Sequence, residues 1–194
     1  IKRLSDYKKR PLGKPYSIMV ADQEMAEKYV DLNNTAKDLY KKFLPGPMTI
    51  ISKIQRSKDP KIQLAQGVAS ELRTVGVRIP DYPFLIKLVK AYGKPLTATS
   101  ANASYKKRPY KIADILDNIS EKQKKLIDLI IDAGELPHNE PSTVIDTTLD
   151  DMVTLRQGDV VISDRLSVTS FSEENTQNIG KELLQKYEKH AGQR

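Results

Sequence analysis

Pro95-Leu96-Thr97-Ala98-Thr99-Ser100-Ala101-Asn102-Ala103-Ser104 is the stretch on which the fold assignment turns. It opens as a short strand, Pro95 to Thr99, with a β-branched residue at every second place after Leu96. It then passes into Ser100 to Ser104, where every residue is small or polar. A buried strand ending this way lets a ligand approach the backbone and offers Ser and Asn as hydrogen-bonding groups. In open α/β sheets, ligands sit in the crevice at the carboxyl ends of strands. Ser and Asn serve equally well in an ordinary turn, so the stretch gains meaning only from partners elsewhere in the chain.

Strands and helices alternate on both sides of it. Towards the N-terminus, Phe84 to Tyr92 is an amphipathic helix closed by Gly93. Before it, Thr74 to Ile79 is a strand stopped by Pro80. Arg78 sits in that apolar strand, either buried and needing an anion or carboxylate, or on the solvent face of an edge strand. Pro45-Gly46-Pro47-Met48-Thr49 is a stiff turn that delivers Thr49 into a strand running to Ile54, and Gln55 to Gly67 follows as an exposed excursion. Earlier still, Tyr16 to Val20 is a strand. Asp22 caps a helix through about Tyr29, and Asn33 or Asn34 caps a second through Phe43. In that helix Ala36, Leu39, Tyr40 and Phe43 recur at core spacing.

Towards the C-terminus, Ile112 to Asn118 and Glu121 to Leu126 are helical, the second capped by Ser120. Leu129 to Gly134 reads as a buried strand and Ser142 to Asp146 as another, while Met152 to Arg156 and Asp159 to Ile162 form a last pair around Gln157-Gly158. A polar linker (163–171) leads to a charged helix, Glu173 to Ala191, with Ile179, Leu183, Leu184 and Tyr187 on one stripe. The expected class is α/β, an open, twisted, mixed sheet with helices packed on it. The expected division is one domain over 1–162, then a linker and C-terminal helix over 163–194.

Composition narrows the function. The 194 residues are 39% hydrophobic and 29% charged, as in a soluble globular protein. No apolar run approaches the ~18 residues of a membrane helix. There is no cysteine, so neither disulfides nor thiol catalysis enter, and a cytoplasmic setting is expected. With His138 and His190 as the two histidines, no resident metal site is expected. Lys plus Arg is 32 against 25 acidic residues, a net charge of +7, which favours an anionic partner. Lys2, Arg3, Lys8, Lys9, Arg10 and Lys14 crowd the first fifteen residues, where Pro11, Gly13 and Pro15 argue for an extended cationic loop rather than a helix. Such a loop suits polyphosphate. There is no GxGxxG and no P-loop, so any nucleotide would be held by side chains and ordinary loops.

Six segments, in order, resemble one family: Lys8-Lys9-Arg10-Pro11 with Lys14-Pro15; Pro45 to Thr49; Val77-Arg78-Ile79-Pro80; Thr99 to Asn102 with Ser104; Ser142 to Asp146; and Leu155-Arg156-Gln157-Gly158. Over residues 7–160 the chain is similar to the YrdC-like threonylcarbamoyl-adenylate synthases. The resemblance implies a kinked sheet with a basic concave face, and a reaction of L-threonine, bicarbonate and ATP that gives threonylcarbamoyl-adenylate and pyrophosphate. That product goes to downstream threonylcarbamoyl transferase proteins, which modify the adenosine beside the anticodon of certain tRNAs. By motif, Lys8 and Arg10 are the catalytic pair lying against the phosphates. Ser100, Asn102 and Arg156 also belong to the ATP and pyrophosphate side, together with Mg²⁺. Arg78 and Ser142 belong to the L-threonine side. The family's opening strand and loop, of the type Pro-Thr-Asp-Thr-x-Tyr-Gly-Leu, has no counterpart in these residues, so an N-terminally incomplete catalytic domain is expected. Met19 stands where some members carry histidine. The alternative is a family relative that binds tRNA or double-stranded RNA without adenylate chemistry, with Lys106, Lys107 and Arg108 on phosphates.

Overall fold

The structure, a computed structural model, describes residues 1–11, 13–57, 59, 62–149, 151–162 and 172–191. The chain divides into two compact units, Ile1–Val161 and Ile162–Arg194. In the second, Glu173–Ala191 forms a helix (α7), as its pattern predicts. The linker 163–171, and the side chains of Leu183 and Tyr187 on the predicted stripe, lie outside the described residues.

The first unit is built on one seven-stranded sheet. Its strands are β1 (Ser17–Met19), β2 (Val30–Asp31), β3 (Met48–Ile54), β4 (Thr74–Arg78), β5 (Leu96–Ala98), β6 (Thr143–Asp146) and β7 (Val153–Arg156). The order is β5-β1-β4-β3-β6-β7, with β2 attached to β3. β1 runs parallel to β4 and β3 parallel to β6, while the other pairs are antiparallel. The sheet is mixed and open, as the alternation of elements predicts.

Local chemistry sets the helix ends. Asp22 Oδ1 accepts from the Met25 amide at 2.9 Å to start α2 (Gln23–Glu27). Asn33 Oδ1 does the same for α3 (Asn34–Phe43) through Ala36 at 2.8 Å, and its Nδ2 reaches the Thr147 carbonyl at 2.6 Å. Each cap satisfies an amide left without a partner at a helix start, a contribution of about 1 kcal/mol. α4 (Pro83–Tyr92) ends at Gly93, whose φ of 75° favours glycine. α5 spans Ile112–Leu116, and Ser120 caps α6 (Glu121–Lys124).

The register separates the sheet's two faces. Ile18, Val75, Val77, Met48, Ile50, Thr143 and Ile145 share one face and are all buried. Ala26, Ala36, Leu39, Tyr40 and Val89 of the helices complete this core. The opposite face carries Ser17, Met19, Gly76, Arg78, Thr49, Ile51, Val144 and Arg156. The covered face is mostly apolar, its buried Thr143 hydroxyl donating to the Val160 carbonyl, whereas the other face displays polar groups.

Four sequence expectations differ from the structure. Residues Lys2–Lys8 form a helix (α1), because Pro11, Gly13 and Pro15 all lie beyond its end, where Lys9 turns left-handed at φ 47°. The strand carrying Leu96 to Ala98 lies at the edge of the sheet and is half-buried rather than buried, because β1 takes β4 on its other side. Leu129 to Gly134 is neither strand nor buried, with Leu129 77% and Ile131 63% exposed. An apolar run predicts burial only where another element covers it, and among the described residues no strand pairs with this one. Asp159 to Ile162 is a bend. The Val160 carbonyl there accepts the Thr143 hydroxyl at 2.7 Å instead of a ladder bond.

Candidate active site

The helix at the start of the chain is tied to the loop that follows β5. Lys8, only 3% exposed, donates from Nζ to the Ser100 carbonyl at 2.7 Å, to Ser100 Oγ at 3.2 Å and to the Asn102 carbonyl. Tyr7 OH donates to the Ala101 carbonyl, and the Ser104 amide returns a bond to the Lys8 carbonyl at 2.9 Å. From α6, Gln123 Nε2 reaches the Tyr7 carbonyl at 2.6 Å. One ammonium therefore gathers three oxygens of a loop that would otherwise turn its carbonyls towards one another. Burial lowers the Lys8 pKa to about 8, with smaller contributions from the charges of Arg10 and Lys14.

Arg10 shapes the adjoining turn. Its guanidinium donates to the Lys14 carbonyl at 3.0 Å and to the Pro15 carbonyl, and it stacks on the Tyr16 ring at 4.2 Å. These bonds use two of its five N–H donors. Asn102 donates to the Lys106 carbonyl at 2.7 Å, while its Oδ1 is buried with no hydrogen-bond partner among the described residues.

A second cluster occupies the open face. Thr49 and Ser142 are both buried, and their hydroxyls meet at 2.9 Å. Arg156 donates from Nε to the Ser142 carbonyl and from Nη2 to Ser142 Oγ, each at 2.9 Å. A register shift between Val144 and Ile145 sets Arg156 beside Val144 and leaves Leu155 as the extra residue of the bulge. Arg78 lies on β4, an interior strand, so the edge-strand alternative for this residue falls. Its Nε is buried without a hydrogen-bond partner among the described residues. Burial lowers the Arg78 pKa, and the Arg156 charge lowers it further. Two cations thus face one pocket-like surface with hydroxyls between them. A buried guanidinium N–H without an acceptor is costly, and an anion is a group that would relieve it.

Gly76 makes room on this face. A Cβ there would stand 2.8 Å from Thr49 Cγ2 and 2.9 Å from Ser17 Oγ. Arg108 lines a cleft of about 370 Å³ with Ser100 and Ala101, and after burial its charge is what lowers the Arg156 pKa. The seven sequence-predicted residues fall in two groups, Lys8, Arg10, Ser100 and Asn102 in one, Arg78, Ser142 and Arg156 in the other. The sequence reading did not assign Tyr7 or Gln123 to the site, gave Thr49 no role, and named Arg108 only as a phosphate contact in the RNA-binding alternative. A lone glycine inside a strand pattern, here Gly76, is the signal of a close approach that could have brought in Thr49. Among the described residues no group of three or more His, Asp or Glu stands together as a metal site, and no helix is long and apolar enough to cross a membrane.

The sequence profile of the Sua5/YciO/YrdC family, described as "Telomere recombination", matches residues 1–158, which contain every residue of both clusters. The chain belongs to the Sua5/YciO/YrdC family. Among other members, a protein of Methanocaldococcus jannaschii, provisionally named a threonylcarbamoyl-AMP synthase, is 38% identical over 162 residues, 84% of this chain and 71% of that protein. The threonylcarbamoyl-AMP synthase of Pyrococcus abyssi is 34% identical over 160 residues, 81% of this chain and 44% of that protein. The solved structure of P. abyssi Sua5 complexed with L-threonine matches with a TM-score of 0.68 at 32% identity, over 81% of this chain and 44% of that one. This Sua5/YciO/YrdC chain spans less than half the length of the P. abyssi relatives.

Proposed function

We propose that this chain is an L-threonylcarbamoyladenylate synthase, a nucleotidyltransferase that makes threonylcarbamoyl-AMP and pyrophosphate from L-threonine, bicarbonate and ATP. The threonine amine takes up carbon dioxide as a carbamate. A carbamate oxygen bonds to the α-phosphorus, the bond from that phosphorus to the bridging oxygen breaks, and pyrophosphate leaves. Both reactants are anions, so the first task of the site is to cancel their repulsion, and the second is to stabilise charge on the leaving group. Holding them in line accounts for about 7 kcal/mol of barrier without a general base.

The observation that carries the reading is Arg78, an interior-strand guanidinium whose Nε has no partner among the described residues, set beside the Thr49–Ser142–Arg156 cluster. In the proposed roles Arg78 takes the threonine carboxylate, and Ser142 orients the amino acid. Arg156 and Arg10 face the phosphates. Lys8 acts as a fixed cation beneath the Ser100–Asn102 loop, which borders the nucleotide. Mg²⁺ is proposed to travel with the triphosphate as part of the substrate. The product is proposed to pass to a downstream transferase that modifies tRNA, in the cytoplasm.

The test is pyrophosphate release with ATP, bicarbonate and each amino acid in turn. Release is expected with L-threonine above the others, and to be lost in Arg10→Ala. Equal release with serine, alanine or no amino acid overturns the reading. Salt-sensitive RNA binding without threonine-dependent release would favour the RNA-binding alternative instead.

A further inference from the structure

Arg108 reaches from the cleft lined by Ser100 to the segment ahead of Ser142, and it has no role in the reaction described above. It follows the Ser100–Ser104 loop in the chain and lines the same cleft as Ser100. Its guanidinium crosses to the segment just ahead of Ser142: Nη1 donates to the Asn139 carbonyl at 2.8 Å and to Tyr110 OH at 3.3 Å, and Nη2 lies 3.5 Å from Glu140 Oε2. Its charge is, after burial, the cause that holds the Arg156 pKa below the ordinary arginine value, so the two guanidinium groups lie within electrostatic reach.

The way Arg108 is held is informative. A firm arginine–carboxylate pair is a two-armed fork at hydrogen-bond distance. Here there is one contact at 3.5 Å between side chains that are 40% and 64% exposed. Such a pair adds little to stability. Lys111 and Asp132 line the same cleft, and Lys107, the neighbour of Arg108, is already engaged with Asp114 at 3.1 Å. Arg108 is thus the cation at this mouth whose carboxylate is most easily exchanged for another anion.

We propose that Arg108 is a triphosphate-binding residue held in reserve by Glu140: nucleotide binding replaces the Glu140 carboxylate with phosphate oxygens. This rests on the adenylate-forming reading and gives the site a specific response to the nucleotide. Glu140 acts on the nucleotide only through Arg108, which it neutralises while the site is empty.

The test titrates ATP bearing a methylene bridge between the α and β phosphorus atoms, with Mg²⁺, into the 194-residue chain and three variants, and measures L-threonine binding in parallel. Arg108→Gln is expected to weaken the analogue about tenfold, and Glu140→Gln to tighten it about threefold. L-Threonine affinity should be unchanged in both. In the double variant the Glu140 effect should vanish, because there is no longer an arginine to release. Melting temperatures without ligand should stay within roughly 2 °C of the parent, as for any exposed pair. If Arg108→Gln binds the analogue as the parent does, or Glu140→Gln weakens binding as Arg108→Gln does, the pair is a simple loop tie and the proposal falls. If Glu140→Gln tightens binding equally with and without Arg108, the exchange is refuted. If the parent does not bind the analogue at all, the adenylate reading itself has failed and this inference with it.

Discussion

Replacing Lys8 with methionine keeps the length of the side chain and removes the ammonium that holds Ser100 and Asn102. Two effects oppose each other in the fold. The ammonium satisfies buried carbonyls, each of which costs about 1–3 kcal/mol if left bare. It also carries the cost of burying a charge: its pKa is about 8 in the fold against 10.5 for a lysine in water, a difference worth at most about 3 kcal/mol. Below pH 8 both folded and unfolded chains hold the proton, and the fold bears the full cost. Between pH 8 and 10.5 the folded protein sheds its proton first, the unfolded state binds more protons, and stability rises with pH. The neutral amine still donates to the loop. The stability lost in Lys8→Met should therefore grow with pH, from about 1 kcal/mol near pH 7 towards about 3–4 kcal/mol at pH 10. Urea unfolding of both proteins at fixed ionic strength, from pH 7 to 10, measures this difference directly. A difference that stays flat across the range would refute the reasoning, since it would mean that the ammonium bears no burial cost.

Other consequences can be checked with the same protein. Arg78→Met removes a buried, unpartnered Nε and relieves repulsion with Arg156, so the ligand-free protein should gain about 1–2 kcal/mol, seen as a higher melting temperature. The same variant should lose threonine saturation while keeping ATP binding, in separate titrations. Gly76→Ala forces Thr49 and Ser17 apart, and should cost about 1–3 kcal/mol and weaken threonine binding more than ATP binding. At Gly158 a Cβ would fall 2.0 Å from the Pro141 carbonyl oxygen and 2.9 Å from the Thr143 amide, backbone atoms that flank Ser142 and cannot rotate away. Gly158→Ala should therefore cost about 3 kcal/mol or more, with threonine-dependent turnover lost alongside.

The alternation of apolar strands and capped helices was legible because each element carries its own signals. Asp22, Asn33, Ser120 and Gly93 mark ends that depend on contacts a few residues away, and the structure has them at those ends. What the pattern could not reveal depends on partners distant in the chain. Nothing in Leu96-Thr97-Ala98 distinguishes an edge strand from an interior one, since that depends on which strand takes the far side of β1. Leu129-Ile130-Ile131 has the composition of a buried strand, yet burial is a property of what covers it. The breakers Pro11, Gly13 and Pro15 constrain only the residues around them, and α1 forms ahead of them. In the candidate site, motif order set Lys8 with Ser100, which a hydrogen bond joins, but it set Arg156 on the same side, whereas Arg156 bonds Ser142 of the other group. Arg108 was read only as an RNA phosphate contact, because nothing in a run of cations separates it from Lys106 and Lys107 until Asn139 and Glu140 are seen beside it.

The central claim is that cations from α1, β4, β7 and the loop after β5 meet on the open face to hold a triphosphate and a threonine carboxylate together. A crystal structure with the methylene-bridged ATP analogue and L-threonine tests it most directly. The account predicts phosphates between the Ser100–Asn102 loop and Arg156, with the threonine carboxylate on Arg78. Nucleotide found instead at the far end of the sheet, in the cleft lined by Arg56 and Arg73, would contradict it.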